Sequence, residues 1–186
     1  MNRFTVTDLP LLGLKLLERK IIGDSRGGLS RLFCAEELAA AGWHKFIAQI
    51  NYTYTFQSGT VRGMHFQAPP HAEMKLVSCI KGEVWDVAVD LRSGSPTFLN
   101  WHAEVLSANN NRAMLIPEGF AHGFQSLTND VALLYCHSAA HNSEAERALN
   151  AQDSRLAITW PLEITEISPR DATHPLLDMK FEGLLL

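Results

Sequence analysis

The sequence predicts an all-β protein, an antiparallel jelly roll with a few short helices. Hydrophobic residues recur mostly with period two, as in strands that bury one face. Short apolar runs are separated by Gly, Pro or Asn at many points. The one good helical stretch, residues 35–41, is too short and isolated to supply the crossover helices of a parallel α/β sheet.

The clearest strands are residues 76–80 and 83–91, which flank a tight turn containing a glycine. Alternation in the second strand places Val87 and Val89 on one face and Asp86 on the other. Further short strands are predicted at residues 46–55, 97–104, 112–116, 123–127 and 131–137.

Length and composition indicate one domain over residues 1–186, since 46% of the residues are hydrophobic and can form a real core. Lys and Arg total 16 against 20 for Asp and Glu, which gives a net charge of −4. Such a chain has no broad basic face, so neither a nucleic-acid polymer nor an anionic membrane is an expected partner. Any phosphate site must be local.

The compartment is predicted from three features. No apolar run approaches the roughly 20 residues that span a bilayer. The N-terminal segment lacks the small-residue cleavage site of a secretory signal. The three cysteines, Cys34, Cys79 and Cys136, cannot all pair within one chain. We therefore expect a cytoplasmic protein with free thiols.

The first candidate site lies in residues 61–67, Val-Arg-Gly-Met-His-Phe-Gln, with Lys75 close behind. In a regular strand His65 shares a face with Gln67, while Arg62 points the other way unless a bulge intervenes. A lone strand histidine is more often a structural residue than a functional one. The neighbouring Arg62 and Lys75 favour the functional interpretation.

The second candidate site is the pattern P-x-G-x-x-H at Pro117, Gly119 and His122. Proline and glycine set a turn, and His122 is predicted to begin the next strand. The pattern resembles the second motif of cupins, a jelly-roll family. Its structural alternative is a hairpin that carries a buried histidine.

Many cupins bind a divalent metal, so a metal-dependent cupin enzyme is one alternative function. The first metal motif is incomplete, because this chain has His65-Phe66-Gln67 where those cupins have His-x-His. A sugar-binding cupin without catalysis is a second alternative. Taken alone, Tyr135 is a core aromatic and Asp171 a turn residue.

Together these motifs resemble the dTDP-4-dehydrorhamnose 3,5-epimerase family, in order and over nearly the whole chain. The similarity runs from Asp24-Ser25-Arg26-Gly27 to Pro175-Leu176-Leu177-Asp178 and includes residues 61–67, 75–77, 82–91, 95–98, 116–124 and 160–161. The resemblance implies a homodimeric, cupin-type double-stranded jelly roll without a cofactor. The implied substrate is a nucleotide-linked 4-keto-6-deoxyhexose, which is epimerised at C3, C5 or both through an enolate.

The resemblance also implies roles for individual residues. His65 matches the general base, Asp171 its carboxylate partner and Tyr135 the acid on the opposite face of the sugar. Lys75 matches a lysine near the enolate oxygen. The implied substrate-binding residues are Arg26, Gln49, Asn51, Arg62, Asp86, His122 and Arg170, of which Arg26 and Arg170 are phosphate contacts.

Several positions depart from the family pattern, and we expect them to lie near the pocket. They are Arg31 in place of Glu, Ile50 in place of Asp, Glu73 in place of Gln, Ser78 in place of Arg and Cys136 in place of Lys. A pair of tyrosines that helps to hold the nucleobase is replaced by Ala140-His141. Recognition of the base is therefore expected to differ.

The N-terminal segment supplies a further expectation about assembly. It is rich in leucine although Pro10 and Gly13 interrupt it. We expect burial against a partner subunit for Leu9, Leu11, Leu12, Leu14, Leu16 and Leu17.

Overall fold

The computed structural model describes residues 2–186 as two antiparallel sheets that enclose a hydrophobic core. The first sheet has the order β1-β2-β10-β7-β12-β5 and the second β13-β6-β11-β8-β9, with β14 parallel to β6; β3 and β4 form a separate ribbon. Neither helix in this range is long and apolar enough to cross a membrane. The predicted all-β jelly roll with short helices is confirmed.

The elements have the following bounds. The strands are β1 Phe4–Asp8, β2 Lys15–Arg19, β3 Ile21–Asp24, β4 Gly27–Ser30, β5 Gln49–Thr55, β6 Thr60–Gln67, β7 Lys75–Lys81, β8 Glu83–Asp90, β9 Trp101–Ser107, β10 Arg112–Ile116, β11 Phe120–Ser126, β12 Val131–His137, β13 Glu146–Ala148 and β14 Glu166–Ile167. The helices are α1 Ala35–Ala39 and α2 Pro169–Ala172.

Alternation along β8 builds two layers of core. Val84 and Ala88 pack between the sheets, where Val77 of β7 and Phe124 of β11 join them. Val87 and its outer-face neighbours pack instead against the C-terminal segment. The turn before β8 connects the two sheets, so β7 and β8 are consecutive in sequence but not paired. This corner places two consecutive strands on opposite walls of the core.

Four predicted strands, β5, β7, β9 and β11, differ from the observed ones at their starts, and β5 begins only at Gln49. β9 begins at Trp101 because the preceding residues form a turn, in which Asn100 N–H donates to Thr97 O and Leu99 has φ +60°. β11 begins at Phe120, so His122 lies inside the strand and not at its first residue. β10 and β12 have the predicted bounds.

The expectation that the N-terminal leucines pack against a partner is wrong for most of them. Leu11, Leu14, Leu16 and Leu17 are buried within their own chain. Leu16 and Leu17 face the core because β2 is an interior strand between β1 and β10, and Leu11 and Leu14 pack on the same core from the segment before it. Leu9 is partly buried against the same core, and Leu12, which is 60% exposed, is the exception.

One extra residue in β6 breaks its alternation opposite β11. His65 pairs with His122 and Arg62 with Phe124, so three steps along β6 face two along β11. The irregularity lies at Gly63, whose backbone meets Gly123 so closely that a Cβ on Gly63 would be 2.5 Å from Gly123 Cα. As a result Arg62 and His65 line the same cavity although a regular strand would separate them.

Replacing Gly63 with Ala should therefore destabilise the protein strongly. The added Cβ meets backbone, which cannot rotate away, and φ is +130°, so we expect a loss of at least about 2 kcal/mol. Gly94→Ala is the matched control, since Gly94 has φ +72° but open space, and strain alone should cost about 1 kcal/mol. Urea denaturation of the purified variants measures both. Equal losses would contradict the close-contact argument.

Candidate active site

A cavity of about 500 Å³ opens between the sheets. Its walls come from β5, β7 and β12 of the first sheet, β6 and β11 of the second, and the segment leading into α2. The predicted site residues that line it are Asn51, Arg62, His65, Lys75, His122, Tyr135 and Asp171. Gln49 and Asp86 do not line it but hydrogen-bond to Asn51 and His122.

His65 and Asp171 form a hydrogen-bonded pair, with 2.8 Å between Nε2 and Oδ1. The Asp171 side chain is buried, whereas that of His65 is 35% exposed. The N–H of Gly63 donates to the second carboxylate oxygen at 3.3 Å. With Nε2 as the donor to Asp171, Nδ1 of His65 remains as the nitrogen that can accept a proton.

The charge of Asp171 follows from its surroundings. Burial alone would raise the pKa of this carboxyl. The hydrogen bond and charge of His65 outweigh burial, and the Gly63 N–H and His174 assist, so the pKa of Asp171 lies below its usual value. Asp171 is therefore ionised at neutral pH and can stabilise a protonated His65.

Local structure brings Asp171 to β6. β14 pairs in parallel with the start of β6, Ile167 opposite Val61. The chain then enters α2, where Ser168 Oγ accepts from the Asp171 N–H at 3.0 Å and Pro169 occupies the first turn. The turn that begins α2 therefore also places the Asp171 carboxylate next to β6.

Lys75 is held at the cavity wall by two acceptors. Its Nζ donates to the carbonyl of His65 at 3.2 Å and lies 3.3 Å from Glu73 Oε1. The other Glu73 oxygen accepts from His137 Nδ1 at 2.8 Å. Burial would raise the pKa of Glu73, but His137 and Lys75 outweigh it and the pKa is lowered. The ammonium of Lys75 therefore has a carboxylate counter-ion inside the cavity.

Tyr135 enters the cavity from β12, across from His65 on β6. Its pKa is raised, mainly by burial and further by the charge of Asp86. The ring stacks against His137 at 6.0 Å between centroids and meets His122 edge-on at 5.8 Å. Tyr135 is accordingly a neutral phenol at physiological pH, with a proton to give.

His122 is paired with a second buried carboxylate. Its Nε2 lies 2.8 Å from Oδ1 of Asp86, which is fully buried. Burial raises the pKa of Asp86 although His122 and Lys75 oppose the shift. Within residues 2–186 the other oxygen of Asp86 has no hydrogen-bond partner. The histidine of the second cupin motif is therefore buried, as the structural alternative expected, and it also lines the cavity.

The predicted phosphate contacts are not gathered in this cavity. Arg26 lies on the exposed β3–β4 ribbon, where it pairs with Asp24. Arg170 is 2.8 Å from Glu146, a cavity-lining residue, and so stands at the rim. Arg62 is the cation that lines the cavity beside Lys75, with hydrogen bonds to Thr55 Oγ1 and the Tyr54 carbonyl.

Of the positions that depart from the family pattern, Glu73 and His141 line the cavity. Ala140 stands at the rim, where its carbonyl accepts from Gln67. The expectation is wrong for the remaining four positions, and their contacts show why. Ser78 is buried against the guanidinium of Arg19, Arg31 pairs with Glu37, Cys136 is in the core and Ile50 is exposed on β5. His137 and His174 are site residues that sequence analysis missed, because neither belongs to a motif.

Gln67, the counterpart of the second metal-ligand histidine in other cupins, is occupied elsewhere. Its amide donates to the carbonyls of His71 and Ala140 and accepts from the Asn142 N–H, which ties down the rim. The side-chain group in residues 2–186 with metal-ligand spacing is instead His65, Asp171 and His174. A metal centre of the usual cupin type does not fit these residues.

The comparisons with known proteins agree with this geometry. A family model described as dTDP-4-dehydrorhamnose 3,5-epimerase matches residues 8–179. The enzyme of that name from Sinorhizobium fredii is 38% identical over 170 residues, which cover 91% of this chain and 87% of the relative.

The solved structures that are similar to this chain are also epimerases of nucleotide-linked sugars. The 3,5-epimerase from Legionella pneumophila in complex with dTDP-4-keto-L-rhamnose has a TM-score of 0.91 and 37% identity, covering 98% of this chain and 99% of that one. A 3'-monoepimerase from Streptomyces bikiniensis in complex with dTDP-quinovose has a TM-score of 0.84 and 34% identity, covering 90% and 85%. Both a double and a single epimerase therefore share this fold.

The raised pKa of Tyr135 predicts that its phenol does not ionise in the folded protein at about pH 11, above the ordinary tyrosine pKa of about 10. Absorbance of tyrosinate, followed from neutral to about pH 11, should thus have the same amplitude in wild type and Tyr135→Phe. The difference of one tyrosine should emerge only on unfolding. An amplitude already smaller by one tyrosine in the folded variant would contradict the assignment.

Proposed function

This chain belongs to the dTDP-4-dehydrorhamnose 3,5-epimerase family and is an epimerase, and we propose that His65, Asp171, Lys75 and Tyr135 perform its reaction. The substrate is a nucleotide-linked 4-keto-6-deoxyhexose, inverted at C3, C5 or both. The observation that carries the proposal is the His65–Asp171 pair, which faces a phenol from the opposite sheet across one cavity. No cofactor is required for proton removal beside a ketone.

The reaction begins with proton removal at a carbon next to the ketone. His65 Nδ1 takes the proton while the C–H electron pair forms the enolate, and the ketone oxygen gains the negative charge. Asp171 stabilises the imidazolium so formed. Lys75 is the buried cation available to the enolate oxygen, where its charge has most effect because the cavity excludes much of the solvent.

Inversion requires a second group, because the proton must return to the opposite face of the carbon. Tyr135 supplies it from the other sheet. The raised pKa keeps this phenol protonated until the carbanion accepts the proton. Solvent then reprotonates Tyr135, and His65 releases its proton to water, so that the enzyme returns to its starting state.

We propose that Asn51, Arg62 and His122 contact the substrate directly, since they line the cavity. Gln49 and Asp86 act through hydrogen bonds to Asn51 and His122. Arg62 is the cation placed to contact the diphosphate, because a guanidinium suits phosphate oxygens. Arg170 can join it only if it leaves Glu146.

We propose that the protein is a homodimer, because apolar side chains are exposed on the β3–β4 ribbon and on a sheet edge. The β3–β4 ribbon exposes Ile21, Ile22 and Leu29, and the edge strand β5 exposes Ile50 and Tyr52. Exposed apolar side chains on a ribbon and on an open sheet edge favour association with another chain. Because Arg26 stands on that ribbon, its phosphate contact would be made in the cavity of a second subunit.

The cytoplasmic location also stays a proposal, supported by the thiols. Cys34, Cys79 and Cys136 are unpaired in the described residues. Burial raises the pKa of Cys79 to about 11 and raises that of Cys136, which disfavours the reactive thiolate. Disulfides are rare in reducing compartments, so three unpaired thiols are typical of a cytoplasmic protein.

Incubation of dTDP-4-keto-6-deoxyglucose in heavy water tests the catalytic roles. Because His65→Ala lacks the general base, deuterium should enter the sugar about 10²–10⁴-fold more slowly with this variant than with wild type. Tyr135→Phe should keep the first exchange but lose inversion. His44→Ala, at an exposed histidine outside the cavity, is the control. Exchange at the wild-type rate in His65→Ala would disprove the base assignment.

Base recognition is tested at Ala140. The backbone at 140–141 is fixed at the rim by Gln67 and Gln49, so a tyrosine at Ala140 should offer a stacking surface. Stacking a base on an aromatic ring contributes about 1–3 kcal/mol, so Ala140→Tyr should bind dTDP about tenfold more tightly. Calorimetric titration measures this, with Ala108→Tyr in the exposed turn after β9 as control. Tight, dTDP-selective wild-type binding that Ala140→Tyr leaves unchanged would refute the inference.

A further inference from the structure

His174 places a second imidazole beside the carboxylate of the His65–Asp171 pair. Its Nε2 lies 3.7 Å from Asp171 Oδ1, the same oxygen that accepts from His65. The two imidazole rings meet edge-on with 6.4 Å between centroids. One ligand atom from each of the three residues lies within 4.8 Å of the others.

His174 influences Asp171 through its charge, but its Nε2 atom makes no hydrogen bond of its own within residues 2–186. This atom is buried, although buried polar atoms are normally paired. The backbone around it is fixed, since the His174 carbonyl accepts from Asn150 Nδ2 at 3.1 Å. The ring is therefore held next to Asp171 with an unused donor or acceptor.

We propose that His65, Asp171 and His174 bind one divalent transition-metal ion, such as Zn²⁺, and that the bound ion inhibits the enzyme. Two imidazoles and a carboxylate are a donor set typical of Zn²⁺ sites with an open position. Bond lengths of about 2.0–2.2 Å place tetrahedral donor atoms about 3.3–3.6 Å apart. His65 Nε2 and Asp171 Oδ1, now 2.8 Å apart, must therefore open slightly, while His174 Nε2 moves in from 3.7 Å. The partly exposed side of His65 leaves the remaining coordination positions open to the cavity.

Inhibition follows from the tautomer, and this step rests on the proposed function. In the free enzyme the imidazole proton is on Nε2 and Nδ1 is the base. A metal ion on Nε2 takes that lone pair, and the neutral ring must carry its proton on Nδ1. The ring then has no free lone pair with which to remove a substrate proton. The enzyme from which a chelator has removed the metal should be the active form.

Metal binding is measured first, without reference to activity. Protein freed of metal by chelation should bind one Zn²⁺ by calorimetry and show visible absorption with Co²⁺. Outer-shell changes already cost about 10–100-fold in affinity, so losing a direct ligand in His174→Ala should cost at least about 100-fold. His174→Cys should restore binding, because a thiolate replaces the imidazole. His102→Ala is the matched control, since His102 pairs with Glu104 at 2.9 Å on β9.

Inhibition is then measured by deuterium exchange. Zn²⁺ should stop wild-type exchange, and a chelator should restore it. Relative to its own uninhibited rate, His174→Ala should need at least about 100-fold more Zn²⁺. Absence of a bound ion, or equal binding by wild type and His174→Ala, would overturn the site, and binding without inhibition would overturn its effect. Metal-free wild type that binds Zn²⁺ as expected, but never incorporates deuterium into a 4-keto sugar, would refute the proposed function and leave the metal site standing.

Discussion

The active site depends on the close backbone contact between Gly63 of β6 and Gly123 of β11. At this contact β6 carries one residue more than its partner, and the alternation of side chains shifts by one. Arg62 and His65 consequently line one cavity. The displaced N–H of Gly63 donates to Asp171, so the same irregularity also helps to fix the carboxylate that orients His65. A side chain on either glycine would meet backbone or Met64 sulfur and push the strands apart.

Charge in the cavity is balanced in pairs. Asp171, Asp86 and Glu73 each face an imidazole at 2.8 Å. Because the environment of Asp171 lowers its pKa while burial raises that of Asp86, the two carboxylate–imidazole pairs are not equivalent. The first is suited to accept a proton on its imidazole. The second, more deeply buried pair is a polar part of the wall.

The departures from the family pattern change the molecule less than their charges suggest. The buried guanidinium of Arg19, from β2, donates to Ser78 Oγ, so a cation is still present beside position 78. Arg31 is neutralised by Glu37 outside the cavity. Glu73 alone adds charge to the cavity wall, and His137 and Lys75 compensate it. The charges around the groups proposed for proton transfer are therefore preserved. The change to Ala140-His141 at the rim can alter which nucleotide binds.

The sequence by itself determined the fold class, most interior strands and the family, because period-two burial and ordered motifs are local properties. It could not determine that Arg62 and His65 share a cavity, since that depends on a register shift between strands about 60 residues apart in the chain. Nor could it show that the N-terminal leucines pack inside their own subunit, because β2 becomes an interior strand only when β1 and β10 flank it. His137 and His174 lie outside any motif and gain partners only through the tertiary structure: His137 reaches Glu73, 64 residues away, and His174 reaches a carboxylate that β14 and α2 place against β6.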